Sequence, residues 1–202
     1  MVIEFLITAI LIELTPGPNM VWLALLGASR GSIAALGAVA GIALGLAIAG
    51  VAAAFGVSQL IGTTPWVFQA LRWAGAIYLL YLAWDAWRGA DGTHSGKFDQ
   101  PVLRYLNQGL VSNMLNPKAY LVYAAVLPQF IDMRQSLVAQ LALLTVIYVV
   151  VATAIHASIA LLAGSLSRFV AQPARFRKVS RVFAVLLSLV AVWFFYATGV
   201  RQ

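Results

Sequence analysis

Three ionisable side chains of this sequence lie inside long apolar segments. Glu13 precedes a Thr-Pro-Gly-Pro-Asn segment, Lys118 follows an Asn-Pro pair, and His156 lies in the second half of a third apolar segment. An acidic side chain in the middle of a lipid membrane costs about 2.5–3.5 kcal/mol on insertion scales, so such residues are usually functional. Because burial favours the uncharged carboxyl group and histidine titrates near neutral pH, Glu13 and His156 are candidates for proton coupling.

Each of these residues also has a simpler structural interpretation. Glu13 can instead form an ion pair with Lys118, or bind a cationic group of a substrate. His156 can be a buried histidine that is bonded to a backbone carbonyl. The sequence leaves these alternatives open.

The two proline segments predict two broken helices. They are Thr15–Asn19 and Asn116–Lys118, and Pro117 follows Pro16 by 101 residues. Proline lacks an N–H group and clashes with the carbonyl four residues earlier. The prolines are therefore predicted to free the backbone oxygens of Ile12, Leu14 and Asn113. In lipid, such breaks are stable only against other protein or a water-filled cavity.

The breaks offer groups that suit both ends of a zwitterionic amino acid. The half-helix that starts near Gly17 presents free N–H groups and a positive dipole end, which attract a carboxylate, and Lys118 adds a full positive charge. Freed carbonyls and polar side chains suit an ammonium group. The predicted substrate-binding residues are Thr15, Pro16, Gly17, Pro18, Asn19, Asn113, Asn116, Pro117 and Lys118. The alternative is that proline and glycine only kink these helices.

Composition places the chain in a lipid bilayer. Hydrophobic residues make up 62% and charged residues 9% of the 202 residues, against about 45–50% and about 25% in soluble domains. The sequence has no cysteine, which excludes disulfides, thiolate metal sites and a cysteine nucleophile. The net charge of +7 is explained by basic residues in cytoplasmic loops, so nucleic acid is not predicted as a partner.

The apolar segments predict an all-α integral membrane protein with one membrane domain over residues 1–202. The six predicted spans are about 2–26, 34–57, 66–88, 105–130, 137–163 and 181–200. A polar cytoplasmic linker, 89–104, separates a three-helix repeat at 1–88 from a second at 105–202. Because three is odd, the second half enters the membrane in the opposite orientation, which predicts an inverted repeat. Such repeats meet at broken helices, here the first and the fourth, in many transporters.

Orientation follows from the basic residues, because cytoplasmic loops carry an excess of lysine and arginine. With both termini on the outer side, nine of the 13 basic residues lie in inner loops. These nine are Arg30, Arg88, Lys97, Arg104, Arg168, Arg175, Arg177, Lys178 and Arg181.

Two shorter patterns predict contacts of the helices. Asp85 and Arg88 are three residues apart, which predicts an ion pair on one helix face. Gly37, Gly41 and Gly45 form a stripe that lets another helix approach closely, either inside the molecule or at a dimer face. Whether copies of the chain form a homo-oligomer stays open.

These motifs together resemble those of the lysine exporter (LysE/RhtB) superfamily of bacterial amino-acid efflux proteins. The matching segments are Leu14–Met20 (LTPGPNM), Leu115–Ala119 (LNPKA), Leu127–Phe130 (LPQF) and Gly75–Leu82 (GAIYLLYL). The resemblance covers essentially the whole chain and favours the homoserine/threonine type. It implies proton-driven export of amino acids or their derivatives across the inner membrane, with no cofactor. Glu13 departs from it, since an apolar or small residue is expected there.

Three other functions fit the sequence less well than amino-acid export. An inorganic-ion or metal exporter of the same superfamily is disfavoured, because a divalent cation takes several oxygen ligands and the spans offer Glu13 alone at depth, with Asp85 at an end. An intramembrane enzyme that uses Glu13 and His156 as an acid–base pair lacks the HExxH and GxSxG motifs. A structural membrane subunit would not need costly polar breaks. No phosphate-binding loop is present, so ion coupling is the predicted energy source.

Overall fold

The computed structural model describes residues 1–56, 63–91, 101–132, 134–167 and 173–197. Within these ranges the regular structure is entirely helical, which confirms the all-α prediction. The helices are α1 (Val2–Leu14), α2 (Pro18–Arg30), α3 (Ser32–Ala54), α4 (Pro65–Asp91), α5 (Val102–Met114), α6 (Pro117–Leu121), α7 (Leu137–Ser165) and α8 (Pro173–Ala197). A π-helical turn (Val122–Val126) and a 3₁₀ turn (Leu127–Phe130) continue α6 towards α7.

The predicted first and fourth spans are each interrupted where the prolines predict it. The axes of α1 and α2 form an angle of 61°. Pro18 and Pro117 occupy the first turns of α2 and α6, where the missing N–H would have no partner in any case. The predicted linker lies mostly outside the described residues, as does the carboxyl terminus. The helix that contains the sixth predicted span, α8, begins at Pro173 rather than near Arg181.

Among the described residues, α3 and α7 are long and apolar enough to cross a membrane, and α1 with α2 qualifies together as a broken span or a re-entrant loop. The helix α4 carries Arg72, Asp85 and Arg88, and α8 begins with several basic residues. Composition alone therefore does not assign these helices as spans, and the six-span inverted repeat stays a prediction. Large apolar side chains such as Val51, Phe55 and Leu162 project outward, as a surface in contact with lipid requires.

The glycine stripe of α3 is used inside the molecule. A methyl group at Gly41 would overlap the carbonyl oxygen of Leu106 on α5, and one at Gly109 of α5 would overlap that of Ala38 on α3. Gly45 lies against the side chain of Asn113. These glycines therefore let α3 and α5 pack backbone to backbone, which fixes the depth of the second break.

The core joins the two halves of the chain. The helix α3 packs on α7, and α4 packs on α8. The second helices of the halves thus contact each other, as do the third helices, which an inverted repeat with a two-fold relation would favour. Between α2 and α3, Gly31 has a φ of 89°, a conformation that glycine adopts without steric cost. This turn lets α3 pack against α2.

Candidate functional site at the two helix breaks

The side chain of Lys118 connects the two breaks directly. The ammonium group of Lys118, in the first turn of α6, donates hydrogen bonds to the backbone oxygens of Ile12 at 2.9 Å and Thr15 at 3.2 Å. Pro16 was predicted to free the Ile12 oxygen, but that oxygen also accepts the backbone N–H of Thr15 at 3.2 Å, so it is shared between two donors. A lysine of the second break therefore binds carbonyls of the first, across 106 and 103 residues of sequence.

The remaining polar groups of the breaks are partly satisfied within each break. Thr15 donates its hydroxyl to the Leu11 oxygen at 3.1 Å. The oxygen of Asn113, which was predicted to be free, accepts the N–H of Asn116 at 3.0 Å instead. That expectation was wrong, because the chain turns tightly enough before Pro117 to form this bond. The side chain of Asn116 in turn accepts the N–H of Lys118 at 3.1 Å.

Glu13 is buried, at 4% exposure, among three polar partners. The hydroxyl of Tyr148 on α7 donates to its Oε1 at 2.7 Å, and Lys118 Nζ lies 3.7 Å from the same oxygen. His156 Nε2, also on α7, lies 3.5 Å from Oε2. The structure thus brings together both candidates for proton coupling, and it also contains the Glu13–Lys118 ion pair of the structural alternative.

Two buried nitrogens near this cluster have no hydrogen-bond partner among the described residues. They are His156 Nδ1 and Asn113 Nδ2. Buried polar atoms are usually paired, and leaving one unpaired costs about 1–3 kcal/mol. Both residues line a small cavity of about 20 Å³ together with Glu13, Gly17 and Lys118. A cavity of that size holds about one water molecule, so this conformation has no room for an amino acid between the breaks.

A second polar network connects α2 to α5 beside the breaks. Ser112 donates its hydroxyl to Asn19 Oδ1 at 2.8 Å, and Asn19 Nδ2 donates to Asn113 Oδ1 at 3.3 Å. All three residues are buried. The amide groups predicted to bind substrate are therefore oriented by each other.

The structure brings the predicted polar site residues into one region, whereas Pro16, Pro18 and Pro117 only shape its backbone. Ser112 and Tyr148 were not predicted from the sequence as site residues, because these residue types are common in apolar helices. One signal was present for the tyrosine. Tyr148 and His156 belong to a stripe of α7 in which every fourth residue from Gln140 to Gly164 is buried.

A larger cavity, of about 300 Å³, lies between α2, α4, α5 and α8. At its rim, Arg104 Nη2 lies 2.6 Å from Asp85 Oδ1. The predicted Asp85–Arg88 pair was therefore wrong. The Arg88 guanidinium instead lies 5.8 Å from the centre of the Trp84 ring. Spacing along one helix could not show that α5 brings a second arginine within reach.

Comparison with known proteins gives consistent matches over the chain. The sequence model described as LysE type translocator matches residues 10–198. A homoserine/homoserine lactone efflux protein of Salmonella typhimurium is 30% identical over 188 residues, which cover 92% of this chain and 91% of that protein. A leucine efflux protein of Klebsiella pneumoniae is 35% identical over 135 residues, which cover 65% of this chain and 64% of that protein. No solved structure matches the chain.

Proposed function

Because the chain belongs to the LysE type translocator family, we propose that it exports amino acids or their derivatives across the bacterial inner membrane. Export is driven by protons that move inward, and both termini lie on the outer side. The names of the relatives, which include homoserine, homoserine lactone and leucine, favour a substrate without a charged side chain. The two halves of the chain alternate between inward-open and outward-open arrangements.

The position of Lys118 is the observation that supports this proposal most directly. Its ε-ammonium is a primary ammonium group, like the α-ammonium of an amino acid, and it binds two backbone oxygens at the first break. The same oxygens can therefore bind the ammonium group of a substrate. The first turn of α2, which no side chain caps at Gly17, then binds the carboxylate, because its N–H groups carry partial positive charge. Lys118 moves from the carbonyls to that carboxylate.

Glu13 couples this exchange to protons. It faces Lys118 of α6 and both Tyr148 and His156 of α7. With substrate bound, the substrate ammonium group takes the place of Lys118 beside the Glu13 anion, and the loaded transporter opens outward. After the substrate leaves, Glu13 takes up a proton from the outer side, and the empty transporter returns with Lys118 on the carbonyls. The proton then leaves inward through His156, so each substrate that moves outward is exchanged for a proton that moves inward.

The size of the cavity between the breaks supports alternating access. About 20 Å³ is far below the volume of an amino acid, so binding requires the first break to separate from α6. The closely packed helices α3 and α5 move as one unit, whereas the polar contacts described between the breaks are those of Lys118 and of the Asn19 network. Separation at the breaks is the least costly movement.

The proposal is tested in proteoliposomes by counterflow of radiolabelled leucine and homoserine. In the Lys118→Gln variant, which keeps a donor but loses the charge, we expect counterflow to fall by about tenfold or more, equivalent to about 1.4 kcal/mol. The control is Lys178→Gln on α8, an exposed lysine whose loss changes the net charge equally. It should transport at the wild-type rate.

Three results would contradict the proposal. The first is wild-type protein that moves neither amino acid. The second is an equal effect of Lys118→Gln and Lys178→Gln. The third is turnover of lipid or peptide without flux, which would favour the enzyme alternative, since Glu13 and His156 do lie together.

A further inference from the structure

We infer that the cavity of about 300 Å³ between α2, α4, α5 and α8 is a second amino-acid site, which binds the substrate before it reaches the breaks. Arg104 binds the carboxylate of the substrate and Asp85 binds its ammonium group. This inference rests on the proposed function. We call the cavity the vestibule.

The Asp85–Arg104 pair can exchange its partners for a ligand. The two side chains are 38% and 37% exposed, so the vestibule communicates with the surroundings of the protein. An exposed ion pair contributes only about 0–1 kcal/mol. A zwitterion that offers a carboxylate to the guanidinium and an ammonium group to the carboxylate replaces this pair without leaving either charge unsatisfied.

The charges of the vestibule select for a carboxylate. Its lining contains three guanidinium groups, from Arg30, Arg88 and Arg104, and one carboxylate, from Asp85. The surplus of positive charge attracts anionic groups, and guanidinium groups bind carboxylates with two parallel hydrogen bonds. The single acidic side chain still provides a partner for the ammonium group, so the set suits an α-amino acid better than a simple anion.

The volume and the apolar lining of the vestibule also suit a small amino acid. Ligand sites have volumes of about 300–1,000 Å³, and the vestibule lies at the small end of that range. Its wall includes the apolar side chains of Trp22, Leu82 and Phe183, which are buried. These can contact an aliphatic substrate side chain such as that of leucine.

The vestibule and the polar network at the breaks lie one helical turn apart on the same two helices, α2 and α5. Trp22, on its wall, follows Asn19 by one helical turn of α2, and Gln108 precedes Ser112 by one turn of α5. A substrate that moves along α2 and α5 therefore passes from the arginines to Asn19 and Ser112. The substrate thus binds first in the vestibule and then at the breaks.

The alternative is that Asp85 and Arg104 only hold α4 against α5. We distinguish the two by the dependence of counterflow on leucine concentration and by the thermal unfolding temperature. For the Asp85→Asn/Arg104→Gln double variant, which removes both charges together, we expect the KM to rise about tenfold with kcat within about twofold of wild type. The Arg104→Lys variant, which keeps the charge but loses the planar fork, should show a smaller rise in KM. The Arg177→Gln variant, exposed on α8, is the control.

A lower unfolding temperature with an unchanged KM in either vestibule variant would overturn the inference and leave the proposed function intact. Wild-type protein that transports no amino acid would instead overturn the proposed function, and the inference with it. If the double variant does not fold, Arg104→Lys decides by the same two measurements.

Discussion

Glu13 is a residue of the first half of the chain whose polar partners belong to the second half. It belongs to the first break, yet its partners are Lys118, Tyr148 and His156 of the second half. A carboxylate in a buried site is stable only with such partners, because an unpaired buried charge is very costly. Any movement that separates the halves must therefore change the charge or the partners of Glu13.

The Glu13→Gln variant is expected to separate exchange from proton coupling. Glutamine keeps the size and can still accept the Tyr148 hydrogen bond, but it cannot take up a proton. Counterflow of leucine should persist, whereas accumulation of leucine driven by a pH gradient should fall at least about tenfold. Both are measured in the same proteoliposomes, with and without the gradient.

Glu4→Gln is the matched control, since Glu4 lies on the same helix with 75% of its side chain exposed. It should leave both rates unchanged. Gradient-driven accumulation at the wild-type rate in Glu13→Gln would remove Glu13 from the coupling mechanism.

The charged residues of the site could be predicted from the sequence, whereas the neutral ones could not. Glu13, Lys118 and His156 were predicted because charge is rare in apolar segments. Tyr148 and Ser112 were not, because a hydroxyl group in a membrane helix has many uses. The partner of Asp85 was predicted wrongly, since sequence spacing shows neighbours on one helix and not those on the next.

The helices and their breaks were predicted more completely than the contacts between helices. The prolines located both breaks, because the loss of an N–H group and the clash with a carbonyl are local effects. The bend of 61° between α1 and α2 depends on neighbouring helices and does not follow from the local sequence. The Asn113–Asn116 bond is local, but the sequence does not show that the chain turns tightly enough before Pro117 to form it.

The contact between α3 and α5 gives a prediction at the scale of elements. Gly41→Ala places a methyl group on the carbonyl oxygen of Leu106, and backbone cannot move as a side chain can. We expect the free energy of unfolding to fall by about 1–3 kcal/mol or more, measured by denaturation in detergent.

The comparison is with Gly17→Ala. A methyl group there would meet only Lys118 atoms, at 3.8 Å and beyond, and the backbone of Gly17 is extended. Its unfolding free energy should stay within about 0.5 kcal/mol of wild type. Equal stability of both variants would contradict the packing described for α3 and α5.

The orientation of the whole molecule in the membrane can be tested with single introduced cysteines, because the sequence has no cysteine of its own. Single cysteines are introduced by Gln135→Cys, before α7, and by Arg177→Cys, at the start of α8. The positive-inside bias predicts that a membrane-impermeant maleimide labels the first variant in intact cells. The second should be labelled only after the membrane is permeabilised. The reverse pattern would place the termini in the cytoplasm.

The arrangement of the whole molecule was only partly predictable. An odd number of helices in each half predicted an inverted repeat, but not that α3 would pack on α7 and α4 on α8. Apolar helix faces in lipid are chemically alike, so sequence does not show which of them pair. The vestibule depends on that pairing and was not foreseen.

Protection of one introduced cysteine tests most directly whether the substrate binds between the two breaks. Gly17→Cys places a thiol beside Lys118, and its alkylation rate in membranes is measured at increasing leucine concentration. If leucine binds there, it slows alkylation with a half-maximal concentration equal to the KM of transport. An unchanged rate at saturating leucine, in a variant that still transports it, would show that leucine does not bind between the breaks.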